Sequence, residues 1–143
     1  MSKQRTLRLP QRLFIDSSAF YAIVDTSDSS HTHAATIANR IAASTTQLYI
    51  TNFIRAETHA LLLNRVGHYH ADRFLHDAAN NPALTVVYAT PTDETQALAL
   101  IEQYKDKDFS LTDALSFLIM QQLRITHAFA FDRNFSQYGF TML

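Results

Sequence analysis

Leu13-Phe14-Ile15-Asp16-Ser17-Ser18-Ala19-Phe20 opens on three apolar residues and passes through an acid into a stretch compatible with a helix. A short apolar run of this kind reads as a strand buried on both faces, as parallel strands are. Asp16 then stands at the strand's carboxyl end. Three further runs have the same character: Leu48-Tyr49-Ile50, Val86-Val87-Tyr88 and Ala128-Phe129-Ala130-Phe131. Between the strands, helical segments are predicted over 17–24, 29–44, 52–65, 68–79, 92–105 and 112–124. Strands separated by helices imply βαβ units, hence an α/β fold with a parallel sheet covered on both sides.

Local signals support several boundaries. Pro91-Thr92-Asp93-Glu94 supplies a cap and then acids suited to the positive N-terminus of a helix. Asn80-Asn81-Pro82 ends the preceding helix, because proline disfavours helical backbone in the residue before it. Gly67 is placed to terminate one helix ahead of the next.

The chain of 143 residues suits one domain with one core, and its 47% hydrophobic and 17% charged residues are those of a globular protein. It has no cysteine, which excludes disulfides, Cys-ligated metals and thiol catalysis. Its two glycines, Gly67 and Gly139, cannot form a GxGxxG turn or a Walker-type phosphate loop. The N-terminus lacks the apolar core of a signal peptide and no apolar run is long enough to span a membrane, so a cytoplasmic protein is expected. Residues 1–12 form a basic N-terminal extension carrying Lys3, Arg5, Arg8 and Arg12 without an acid, ahead of a domain over 13–143. That domain holds 8 basic and 13 acidic residues, a balance unlike that of most nucleic-acid-binding modules but compatible with an acidic site neutralised by metal.

Four acids stand out by position. Asp16 and Asp132 each follow an apolar strand, at the edge where open α/β sheets bind ligands. Either can instead be a helix cap or a turn residue. Glu57 has Phe53, Ile54, Ala60 and Leu61 at the neighbouring helical positions, which places it on a buried stripe. A carboxylate there needs a salt bridge, with Arg55 or Arg40 as candidate partners, or a cation. Asp113 sits in Ser110-Leu111-Thr112-Asp113, a capping-box pattern, so it caps a helix or serves the site. Convergence of all four would create strong repulsion that Mg²⁺ or Mn²⁺ relieves, and hard cations of this kind activate water and stabilise the leaving oxygen in phosphodiester hydrolysis.

Four segments together resemble the PIN-domain nucleases, in particular the VapC-type toxins of VapBC toxin–antitoxin pairs. They are Phe14-Ile15-Asp16-Ser17-Ser18-Ala19-Phe20, Thr51-Asn52-Phe53-Ile54-Arg55-Ala56-Glu57-Thr58, Asp108-Phe109-Ser110-Leu111-Thr112-Asp113-Ala114 and Phe131-Asp132-Arg133-Asn134-Phe135. The resemblance implies a three-layer α/β/α fold with a five-stranded parallel sheet in 3-2-1-4-5 order, the last strand near Phe140 to Met142. It also implies metal-dependent endonucleolytic cleavage of RNA, with Asp16, Glu57, Asp113 and Asp132 as the acidic metal site. Asp16 and Asp113 are the first choices for direct contact. Thr112 is a candidate to orient a water, and Asn134 stands where related toxins often carry a His or an acid. A homodimer and an antitoxin that blocks the cleft follow from the same resemblance. A PIN nuclease of RNA processing without an antitoxin, or a catalytically silent RNA- or protein-binding scaffold, are the alternative readings.

The histidines support no rival chemistry. His31, His33, His68 and His70 are expected on helix surfaces, and His59 and His127 offer no partner for a hydrolytic triad. A haloacid-dehalogenase-like site would require a second Asp where Ser18 stands.

Overall fold

A computed structural model describes residues 8–143. Lys3 and Arg5 of the basic extension lie outside the described residues. The chain runs β1 (Arg12–Ile15), α1 (Ser17–Val24), α2 (His31–Ala42), β2 (Gln47–Thr51), α3 (Asn52–Arg65), α4 (His68–Asn80), β3 (Leu84–Val87), α5 (Pro91–Gln103), α6 (Leu111–Gln122), β4 (His127–Phe129), α7 (Asn134–Tyr138) and β5 (Thr141–Met142).

The five strands pair in parallel in the order β3-β2-β1-β4-β5, as the resemblance implies. β1 is central: Phe14 pairs with Tyr49 of β2 on one side and Ala128 of β4 on the other. Leu13, Phe14, Ile50, Ala128 and Phe129 are buried, and each large apolar side chain removed from water contributes roughly 1.5–3 kcal/mol. The edge strand β3 departs from the expectation of burial on both faces: Leu84, Val86 and Val87 are half-buried and Thr85 is exposed.

The boundaries differ from expectation in three informative places. β3 begins two residues early, at Leu84, because its residues pair with Leu48 to Thr51, and Tyr88 lies beyond it, exposed. The cap of α5 is Thr90, with Pro91 in the first turn and Asp93 closing a capping box, so Thr92 is not the cap. β4 stops at Phe129, two residues short of the apolar run's end. There the backbone N–H of Phe131 leaves the sheet and donates to Ser18 Oγ at 3.0 Å.

The helices are packed so as to bring the polar ends together. α1 contacts α2 and α3, α3 contacts α4, and α6 contacts α5, α3 and α7. Gly67, at φ +121°, permits the turn between α3 and α4, and its N–H donates to Leu62 O at 2.9 Å. Phe117 of α6 meets Phe135 edge-on at 5.1 Å and stacks on Tyr138 at 4.7 Å, which locks the short helix α7 onto α6. No helix among the described residues is long and apolar enough to cross a membrane.

Candidate active site

Asp16 follows Ile15 directly and caps α1. Its Oδ2 accepts from Ser18 N at 3.2 Å and Ser18 Oγ at 2.6 Å. Ser18 Oγ thus ties Asp16 to the Phe131 backbone and joins β1 to the segment that carries Asp132.

Asp113 occupies the third position of α6 and closes a capping box with Ser110. Its Oδ2 accepts from Ser110 N at 3.1 Å and from Asn134 Nδ2 at 2.8 Å. The phenylalanine and tyrosine packing of α7 against α6 is what delivers Asn134 there. Asp132 lies three residues beyond β4, not directly at its end, and its Oδ1 accepts from Asn134 N at 2.9 Å in a local turn.

Glu57 is not on a buried stripe. The buried face of α3 is Ile54, Thr58 and Leu62, while Glu57 is exposed and Ala60 beside it is exposed as well. Arg40 and Arg55 make no salt bridge to Glu57; Arg55 donates to Tyr88 Oη at 3.1 Å. Its partner is the hydroxyl of Ser17, which donates a short hydrogen bond to Glu57 Oε1.

All four acids line one open cleft of about 380 Å³ at the carboxyl edge of the sheet, together with Ser17, Ser18, Tyr21, Asp28, Ser29, Ser30, Leu61, Arg65 and Phe131. Thr112 is not among these lining residues. None of the four carboxylates has a Lys, Arg or His within ion-pair distance among the described residues. Burial pushes the Asp16 carboxyl up to about 6; hydrogen bonds from Ser18 oppose this, and the charges of Asp113 and Glu57 add to it. Asp113 is also raised, chiefly by burial, with a contribution from Asp132, against the hydrogen bonds from Ser110 and Asn134.

Among the described residues, no three His, Asp or Glu side chains are placed to enclose a metal ion. The donor set nevertheless fits a hard divalent cation that keeps much of its water. All the candidate donors are oxygens, and Oδ1 of Asp16 and of Asp113 accepts no hydrogen bond from the described residues. Mg²⁺ commonly takes only one or two carboxylates, alongside waters and phosphate oxygens.

Sequence reasoning overlooked Ser17, Ser18, Tyr21 and Arg65. A signal existed for two of them: Tyr21 is one helical turn after Ser17, and Arg65 two turns after Glu57. The histidines form no site. His31 Nδ1 lies 2.8 Å from the Ala22 carbonyl oxygen, a half-buried structural contact and not a free surface position, and His68 pairs with Asp72 on the surface of α4. A separate hollow of about 200 Å³ between α1 and α4 is mainly apolar, lined by Phe20, Ile23, Val24 and Phe74 among others, and lacks convergent acids.

The chain belongs to the PIN-domain family, whose model matches residues 13–141, and its parallel sheet with an acid-lined cleft at the carboxyl edge is in keeping with that. It is homologous to VapC proteins. The 23S rRNA-specific endonuclease VapC20 of Mycobacterium tuberculosis is 33% identical over 132 residues, covering 90% of this chain and 95% of that one. A VapC ribonuclease of Archaeoglobus fulgidus is 27% identical over 124 residues, covering 85% and 78%. The crystal structure of VapC20, described as a sarcin–ricin loop cleaving toxin, matches with a TM-score of 0.82 at 28% identity over 90% of this chain and 96% of that one. FitAcB from Neisseria gonorrhoeae shares the fold at a TM-score of 0.65 and 8% identity.

Proposed function

We propose that this protein is a metal-dependent endoribonuclease and the toxin of a toxin–antitoxin pair. The observation that carries this reading is the convergence of Asp16, Glu57, Asp113 and Asp132 on one cleft with no described basic side chain paired to any of them. Such an arrangement leaves charge for a cation to neutralise. The homology to proteins named as an rRNA endonuclease and a VapC ribonuclease supports RNA as the substrate class.

Mg²⁺ or Mn²⁺ bound here would lower the pKa of the attacking water and stabilise charge on the phosphate and leaving oxygen. Asp16 and Asp113 would hold the ion, and Glu57 and Asp132 would accept hydrogen bonds from its waters. Ser18 and Asn134 orient the two buried carboxylates by occupying one oxygen of each. Ser17 fixes one oxygen of the exposed Glu57 and leaves the second to accept a proton from water.

Purified protein incubated with total RNA, including large-subunit rRNA, tests the chemistry: cleavage should stop in EDTA and return with Mn²⁺ or Mg²⁺, and mapped ends identify the site. Undiminished cleavage in chelator by protein free of other nucleases would overturn the metal reading. As partners we propose a second copy of the chain and an antitoxin whose Arg or Lys satisfies the carboxylates in place of metal. Co-purification with the product of the neighbouring gene should suppress cleavage. A PIN nuclease of RNA processing would cleave equally with or without it.

A further inference from the structure

The acidic cleft contains one cation. Among its lining residues Arg65 is the only Lys or Arg, it is exposed, and no described carboxylate lies within ion-pair distance of it. Glu57, Leu61 and Arg65 are spaced four residues apart along α3 and all three line the cleft. At a rise of about 1.5 Å per residue, Arg65 stands roughly 12 Å down the helix from Glu57. Its backbone is thus two turns from that of Glu57, and its guanidinium lies outside ion-pair distance of the carboxylates.

A neighbouring aromatic ring holds the guanidinium. Arg65 Cζ lies 5.6 Å from the centre of the Tyr21 ring, and the Tyr21 hydroxyl is in turn fixed by a short hydrogen bond to Asp25. Tyr21 is one turn after Ser17 on α1, so two rungs link α1 to α3: Ser17 to Glu57 near the sheet edge, and Tyr21 to Arg65 farther along. Arg65 also reaches the Tyr21 hydroxyl, and the remaining N–H groups of its guanidinium match the oxygens of a phosphate.

We propose that Arg65 is a substrate-positioning residue that binds a backbone phosphate of the RNA beside the one cleaved, with Tyr21 setting the angle of the guanidinium. This rests on the endoribonuclease reading above. In an otherwise acidic cleft, Arg65 gives the strand an attractive contact on one side of the reacting phosphate, and so a direction of entry.

The test is binding of a labelled RNA oligonucleotide in EDTA across a salt series, followed by steady-state cleavage with Mn²⁺. Arg65→Gln should weaken binding by roughly three- to tenfold and flatten the slope of log affinity against log salt by about 0.7, the amount expected for one phosphate contact on a single strand. With metal it should raise KM while leaving kcat near the wild-type value, as loss of uniform binding does. Arg65→Lys should retain the wild-type slope, and a melting temperature within the error of wild type should accompany both variants. If wild type binds RNA with a clear salt dependence and Arg65→Gln matches it in slope and KM, the positioning role is wrong and the nuclease reading stands. If wild type neither binds nor cleaves RNA under any of these conditions, the nuclease reading itself fails.

Discussion

The side-chain amide of Asn134 donates to Asp113 Oδ2 at 2.8 Å and lies 3.5 Å from Asp132 Oδ2, so one neutral group bridges two of the four acids. It offsets part of the burial that raises Asp113. Asn134→Asp replaces that donor with a further negative charge. The metal-free protein should lose roughly 1.5–3 kcal/mol, the usual value of a hydrogen bond to a charged group, and its melting temperature should rise more steeply with Mn²⁺ than that of wild type. Calorimetry in EDTA and across a Mn²⁺ series checks both; equal stability in EDTA would show that the bridge contributes nothing.

The carboxyl of Asp16 sits at about 6 against an ordinary 3.8, chiefly because it is buried. A group raised on folding contributes stability that is fully present below the unfolded value and is lost as pH rises through the folded one. Between pH 3.8 and about 6 the metal-free wild type should therefore lose roughly 3 kcal/mol that Asp16→Asn does not lose. Asn still caps α1, so the variant should be the more stable protein at neutral pH and should approach wild type near pH 4. Denaturant titrations of both proteins in EDTA at successive pH values read the difference directly. Curves that stay parallel would mean that Asp16 is not held in this state.

Binding of a divalent cation to the native state stabilises by mass action, about 2.7 kcal/mol at a hundredfold excess over Kd. Wild type should show this shift, and Asp16→Asn and Asp113→Asn should lose most of it along with cleavage. The second variant also gives up a charge–dipole contribution of roughly 0.3–1 kcal/mol at the start of α6. Should Asp113→Asn melt lower yet keep the whole metal response and full activity, Asp113 would be a helix cap and nothing more.

Ser17 and Ser18 are adjacent but should fail differently. Ser18→Ala removes a donor to Asp16 and strands the half-buried N–H of Phe131, which should cost about 1–3 kcal/mol. Ser17→Ala frees a carboxylate that water can reach, so stability should fall by less than about 1 kcal/mol while kcat drops roughly tenfold as Glu57 loses its anchor. Equal stability losses in the two variants would contradict this division of roles.

Most strand positions were legible as apolar runs, and Asp16 and Asp132 stood out because each follows one; Glu57 and Asp113 stood out by helical position, and the strand order came from the family resemblance and not from periodicity. Glu57 was placed on the wrong face for a physical reason. The buried stripe of α3 passes through Thr58, whose hydroxyl is buried without a partner among the described residues, so the true stripe looked polar and its neighbour looked apolar. The extent of β4 was overestimated because Phe131 is apolar yet its backbone serves a side-chain hydroxyl far away in sequence. Helix α7 has five residues, too few to show a period. For Asp16 and Asp113 capping does not exclude a place in the site: a carboxylate has two oxygens, and here one caps while the other accepts no hydrogen bond from the described residues.

The hydrogen bond between Ser18 and Phe131 joins residues 113 positions apart, and β4 pairs with β1 across a similar interval. During synthesis, then, the ribosome releases Asp16 and Glu57 long before the two remaining acids exist, and the last of them is held in place only once residues 127–129 have docked beside β1. A growing chain carries half of its acidic cluster and no finished cleft. Chain order itself thus withholds the assembled cleft until residues 127–132 have been made and have docked beside β1.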